Sequence, residues 1–148
     1  MARPHIPAEV ERRVREEAKN RCGYCLSPQE LVMARLEIEH IVPRSRFPQD
    51  DPAADEEPNL WLACPICNGH KSDKTSAVDP ETGEMVALFN PRTQRWLEHF
   101  RWTEDGIRIV GLTPAGRATV IALHLADDPE ALRVRTNWVS AGWHPPGE

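Results

Sequence analysis

No apolar run in this 148-residue chain approaches the ~18 residues of a membrane span, which excludes a membrane-crossing helix. The opening stretch, MARPHIPAEVERRVREEAKN, has no apolar h-region, so no secretory leader is read there. An intracellular, cytoplasmic protein in a reducing compartment is expected. Positive charge is not in excess either: 18 Lys and Arg stand against 23 Asp and Glu, for a net charge of −5. That argues against a strong non-specific nucleic-acid binder, which usually carries net positive charge. No internal repeat and no low-complexity tract interrupts the chain.

What is present suits an ordinary soluble globular domain. Hydrophobic residues make up 40% and charged residues 28%. A chain of this length buries roughly 68–70% of its unfolded surface, enough for one domain or a small core with an accessory region. The acidity is concentrated. Residues 50–57, DDPAADEE, hold five acids and no base, and without them the net charge is zero. A nucleic-acid-binding reading therefore places this segment away from bound phosphates.

The four cysteines are more informative. They form two C-x2-C pairs, CGYC (Cys22, Cys25) and CPIC (Cys64, Cys67). In a chain read as intracellular, that pattern points to metal and away from disulfides. Each knuckle presents two sulfurs to one ion, and two knuckles complete a tetrahedral structural zinc site. The pairs are separated by 38 residues, more than in a usual zinc ribbon, so a substantial segment is clamped between them.

Within and around that segment the periodicity predicts a helix over 7–20, a strand over 31–42 ended by Pro43, a long loop over 43–58, a second strand over 59–64 and a short helix over 65–74. Beyond residue 78 the pattern predicts a turn at Asp79–Gly83, a strand near 85–89, and strands at WLEHFRW and GIRIVG. Two helices follow. One is capped by Thr113 with Pro114 at its first position; the other is capped by Asp127 or Asp128 and stopped at Gly142. The fold class is α+β. The division expected is a core over 1–78 and an accessory region over 79–148, a strand-plus-two-helix arrangement packed on the core.

The stretch RLEIEHIVPRSR ends an alternating apolar run on Glu39-His40. With Asn59, CPICNGHK and the flanking cysteine pairs, it resembles the HNH endonucleases of the ββα-metal (His-Me finger) type, over roughly residues 20–75. The family's first position, commonly Asp or His, is Glu39 here, and its last, commonly His or Asn, is Asn68. The resemblance implies that His40 is the catalytic base, that Asn59 holds the loop after it, and that Glu39 and Asn68 bind a catalytic divalent ion (Mg2+, Mn2+ or Ni2+). It also implies a DNA substrate and products with 5′-phosphate and 3′-hydroxyl ends.

The chemistry of the residues agrees. An imidazole titrates near neutrality and can take a proton from water. A hard cation prefers oxygen ligands, which a carboxylate and an amide supply. A four-cysteine zinc stabilises a core of short strands without taking part in the reaction. One geometric objection arises from the strand itself: successive side chains point to opposite faces, so Glu39 and His40 meet only where the strand bends or ends.

Several residues carry more than one reading. Glu39 can instead pair with Arg35 or Arg44. Glu37 is the rival carboxylate on its face. Asn68 can instead cap the following helix, and His70 is the second-choice metal ligand. Arg44, Arg46, Lys71 and Lys74 are candidate phosphate contacts. Arg92 and Arg95 can extend that face or pack on Trp96, and Trp96, Trp102 and Trp138 read as core. The expectation is a one-metal DNA endonuclease with a His general base. The alternative is an inactive, zinc-stabilised DNA-binding module. A third possibility gives the C-terminal region a partner protein to dock.

Overall fold

The computed structural model describes residues 6–147; His5 lies outside them. The chain divides into two compact units. The first runs up to Thr75 and includes Asn90–Thr93; the second comprises Ser76–Phe89 and the chain from Gln94 onward. No helix among the described residues is long and apolar enough to cross a membrane.

The first unit is a hairpin with a helix on each side of it in sequence. Helix α1 (Ala8–Glu17) starts after Pro7, carries Glu9 and Glu11 in its first turn and Arg15 in its last, and so complements its own dipole. It packs on strand β2 and buries Val14 completely. Strands β1 (Glu37–His40) and β2 (Leu60–Ala63) pair antiparallel, with Glu39 opposite Trp61 and His40 opposite Leu60. Helix α2 (Pro65–Lys71) follows directly and packs on β1. Leu36, Leu60, Leu62 and Tyr24 form the apolar interior.

Strand β1 is shorter than the apolar pattern predicts, because residues 32–36 bond to a side chain and not to a neighbouring strand. Gln29 accepts from the Leu36 amide at 2.7 Å and donates to the carbonyls of Val32 and Ala34. The connection from β1 to β2 is built of short 3-10 turns at Arg44–Arg46, Pro52–Asp55 and Glu57–Asn59.

The second unit holds two hairpins, β3 (Ser76–Val78) with β4 (Met85–Ala87) and β5 (Phe100–Trp102) with β6 (Ile109–Gly111). Helix α4 (Pro114–Ala122) packs on β3, β4 and β6. The Thr113 hydroxyl accepts from Gly116 N at 3.0 Å, and Asp128 caps α5 (Pro129–Ala141), which stops at Gly142 in the left-handed region. The stretch WLEHFRW is not one strand. Trp96–His99 forms a single helical turn, α3, because Trp96 and Phe100 turn to the same interior, with ring centroids 5.2 Å apart, while Leu97 stays exposed.

Asp79 organises the β3–β4 turn. It is fully buried and takes both prongs of Arg117 at 2.9 Å, the Thr82 hydroxyl at 3.0 Å and the Glu81 amide at 3.1 Å. These donors, Arg117 foremost, outweigh the opposing effect of desolvation and hold its carboxyl far below the usual carboxylate range.

Candidate functional site

Four sulfurs gather first. Cys22, Cys25, Cys64 and Cys67 are all buried, and their Sγ atoms lie within 4.8 Å of one another. Sulfurs about 2.3 Å from one tetrahedral ion stand roughly 3.8 Å apart, and Cys25 and Cys64 are separated by 3.7 Å. The donor set and its spacing fit a structural metal. Backbone amides already face the sulfurs: Tyr24 N reaches Cys22 and Cys67 N reaches Cys64. Burial pushes the Cys22 thiol well above its ordinary range, so a cation is what makes a cluster of thiolates here affordable. Gly23 allows the first knuckle to close, since a Cβ there would collide with the Trp61 ring and Pro91. Its amide donates to Leu62 O at 2.8 Å, tying the knuckle to β2.

Glu39 does not face an open site. It is 1% exposed, and Lys71 Nζ lies 2.8 Å from its Oε1. Lys71 also donates to His40 O and Ile41 O, both at 3.0 Å. The ammonium thus joins two carbonyl hydrogen bonds to an ion pair with Glu39. The reading of Lys71 as a phosphate contact is therefore corrected: it is 2% exposed and holds the end of β1 from within. Tyr24 is buried against the same carboxylate; burial first, then the charge of Glu39, push its phenol well above its usual range.

Asn68 lies one helical turn before Lys71 and donates to Glu37 Oε1 at 2.9 Å. The face of β1 carrying Glu37 and Glu39 thus meets α2 in two separate pairs. Glu39 and Asn68, read from the sequence as ligands of one divalent ion, are each paired with another side chain here, Lys71 and Glu37 respectively. Sequence pairing missed this because a cation already inside the protein, Lys71, neutralises the carboxylate.

His40 ends β1 and is directed to the loop. Its Nε2 is 2.7 Å from Asp55 Oδ1, and its side chain is 27% exposed. Asp55 is 11% exposed, and its other oxygen accepts from Arg44 at 2.7 Å. Desolvation would raise the Asp55 carboxyl, but the hydrogen bonds of His40 and Arg44 together hold it below its ordinary value. Asp55 is a residue that sequence reasoning missed. It lies in the acidic run that was expected to stand away from phosphates, and a 15-residue separation from His40 carries no periodic signal. Glu57 of the same run is taken by Arg13 at 2.8 Å.

Asn59 grips the loop on both sides. Its Oδ1 accepts from Val42 N at 2.8 Å, and its Nδ2 donates to Val42 O and Ala54 O, each at 2.9 Å. Of the basic residues, Arg44 is engaged with Asp55 and reaches Asp51 O. Arg46 and Lys74 are exposed around the end of α2, donating to Asp73 O and His70 O respectively. His70 is half-buried on α2. Arg92 packs on Trp61, 5.1 Å from the ring centroid; it also donates to Leu60 O and Glu17.

Comparison with known proteins agrees with this arrangement of hairpin, helix and cysteines. Residues 22–74 match the HNH endonuclease family. Over 110 residues the chain is 26% identical to Septu protein PtuB of Bacillus thuringiensis, an alignment covering 74% of this chain and 38% of that protein. The chain thus spans well under half the length of this relative. No solved structure matches it.

Proposed function

From the HNH endonuclease domain at residues 22–74, we propose that this chain is a DNA endonuclease that hydrolyses phosphodiester bonds with His40 as general base. One observation carries the reading: an imidazole at the end of β1, half-buried, with one ring nitrogen held by a carboxylate and the other left for water. Nδ1 takes a proton from a water molecule as its oxygen bonds to phosphorus. The P–O3′ bond breaks, and the electron pair leaves with the 3′ oxygen, which takes a proton from solvent water to become the hydroxyl. The 5′ side keeps the phosphate. Asn59 keeps the loop after His40 in register with the loop that brings Asp55. Arg46 and Lys74 offer charge for the flanking phosphates. The sulfur cluster takes zinc, which stabilises the unit and leaves no coordination position open for chemistry.

The test is nicking of supercoiled plasmid by zinc-loaded protein supplied with Mg2+, Mn2+ or Ni2+, since HNH nucleases use a divalent cation. His40→Ala is expected to reduce the rate by about 10²–10⁴-fold, the usual contribution of a positioned acid or base. Equal cleavage by the wild type and His40→Ala in every metal would end the reading.

A second reading is favoured by Glu39. With its carboxylate closed off by Lys71, the domain can serve as an inactive, zinc-stabilised DNA-binding module. It predicts salt-sensitive DNA retention by the zinc-loaded protein without any added divalent cation, and no nicked product when Mg2+, Mn2+ or Ni2+ is supplied.

A further inference from the structure

We propose that Asp55 is a positioning residue for His40, the acidic half of a His–Asp dyad delivered by the loop between β1 and β2. The inference rests on the reading of His40 as base and adds to it a residue that decides which ring nitrogen does the work.

Asp55 Oδ1 lies 2.7 Å from His40 Nε2, while Arg44 donates to Oδ2 at 2.7 Å. An ionised carboxylate only accepts hydrogen bonds. Nε2 therefore carries the hydrogen, and the lone pair is on Nδ1, the nitrogen turned away from Asp55. The same carboxylate faces the ring when it becomes positive on taking a proton. This is the geometry by which an acid orients a catalytic histidine without itself becoming protonated.

The surroundings distinguish this from an incidental surface pair. Both oxygens of Asp55 are occupied, and the side chain is 11% exposed, so water competes poorly for it. Arg44 is itself steadied by Asp51 O. The turn carrying Asp55 is built for its place: Pro52 starts it, the Asp51 side chain accepts from Ala53 N at 2.9 Å, and Ala54 is fully buried. The decisive contact is made by Asn59. Its one amide nitrogen holds Val42 O, two residues after His40, and Ala54 O, immediately before Asp55. A single side chain therefore sets the spacing of the base and its acid.

The acidic run DDPAADEE then has an assignment. It supplies a carboxylate to the histidine, and the positive charge of Arg44 offsets that carboxylate where a phosphate would otherwise be repelled.

The experiment uses the full zinc-loaded chain labelled with 15N-histidine. Nitrogen–proton spectra, assigned by difference from His40→Ala, report the protonated nitrogen and its hydrogen bond. The wild type is expected to show a protected, downfield Nε2–H on His40. Asp55→Ala should lose that signal. Asp55→Asn, which keeps the size of the side chain, guards against a variant that simply misfolds, and should lower kcat by about 10²-fold with KM little changed. A His40 protonated at Nδ1, a protected Nε2–H that persists in Asp55→Ala, or a wild-type kcat in Asp55→Asn would each overturn the dyad. Absence of nicking by the wild type would count against the nuclease reading alone, because the ring spectrum judges the dyad without activity.

Discussion

The two units order strands of only three or four residues by different means. In the first, aromatics are sparse, with Tyr24, Phe47 and Trp61 alone, and position is set by four sulfurs, the Glu39–Lys71 ion pair and the clasp of Asn59. The second holds the remaining six aromatics and closes on Phe89, Trp96, Phe100, Leu123 and Leu125, with its helix starts and turn capped by Thr113, Asp128 and Asp79. The difference is instructive. Apolar packing tolerates exchange of similar shapes, whereas a polar network has partners that only one arrangement satisfies. The unit carrying His40 is the one that adds to its hydrogen bonds a cluster of four sulfurs placed to hold a metal.

Removing the metal is the strongest way to break this contrast. A four-cysteine zinc contributes on the order of 10–16 kcal/mol of apparent binding energy to folding. Chelation, or Cys64→Ser, is expected to abolish amide protection from Cys22 through Lys71 and leave α4 and α5 protected in hydrogen exchange. Equal loss in both units would erase the distinction. The next largest effect is expected at Lys71. Lys71→Met leaves Glu39 as a buried, unpaired charge and should cost about 3–5 kcal/mol in urea unfolding, while the double variant Glu39→Gln/Lys71→Met recovers most of it. A single variant as stable as the wild type would show that the pair does not organise β1.

The smallest effect belongs to the second unit and depends on pH. The folded-state pKa of Asp79 is depressed, so its contribution is complete above the unfolded value near ~3.9 and is lost as pH falls below it. Asp79→Asn is therefore expected to show a shallower fall in stability below about pH 4 than the wild type, with the two curves parallel at higher pH. Parallel curves throughout would mean that the Arg117 pair is not retained in solution.

Much of this was legible residue by residue. Thr113-Pro114 and Gly142 punctuate helices because their effects are confined to a single turn. The order of strand, loop, strand and helix followed from periodicity. Strand β1 was overextended because Gln29, a polar residue outside the apolar pattern, bonds to the backbone there. WLEHFRW misled because its apolar residues suit either period, and only the shared burial of Trp96 and Phe100 selects the helical turn.

The sequence alone determined the sulfur set, the hairpin-then-helix order and the position of His40 at a strand end, since each depends on neighbours a few residues apart. Tertiary structure decided how charges are partnered: Glu39 with Lys71, Glu37 with Asn68, Asp55 with His40 and Arg44. Such pairings follow from which side chains lose water together when distant segments meet, and spacing along the chain holds no record of that.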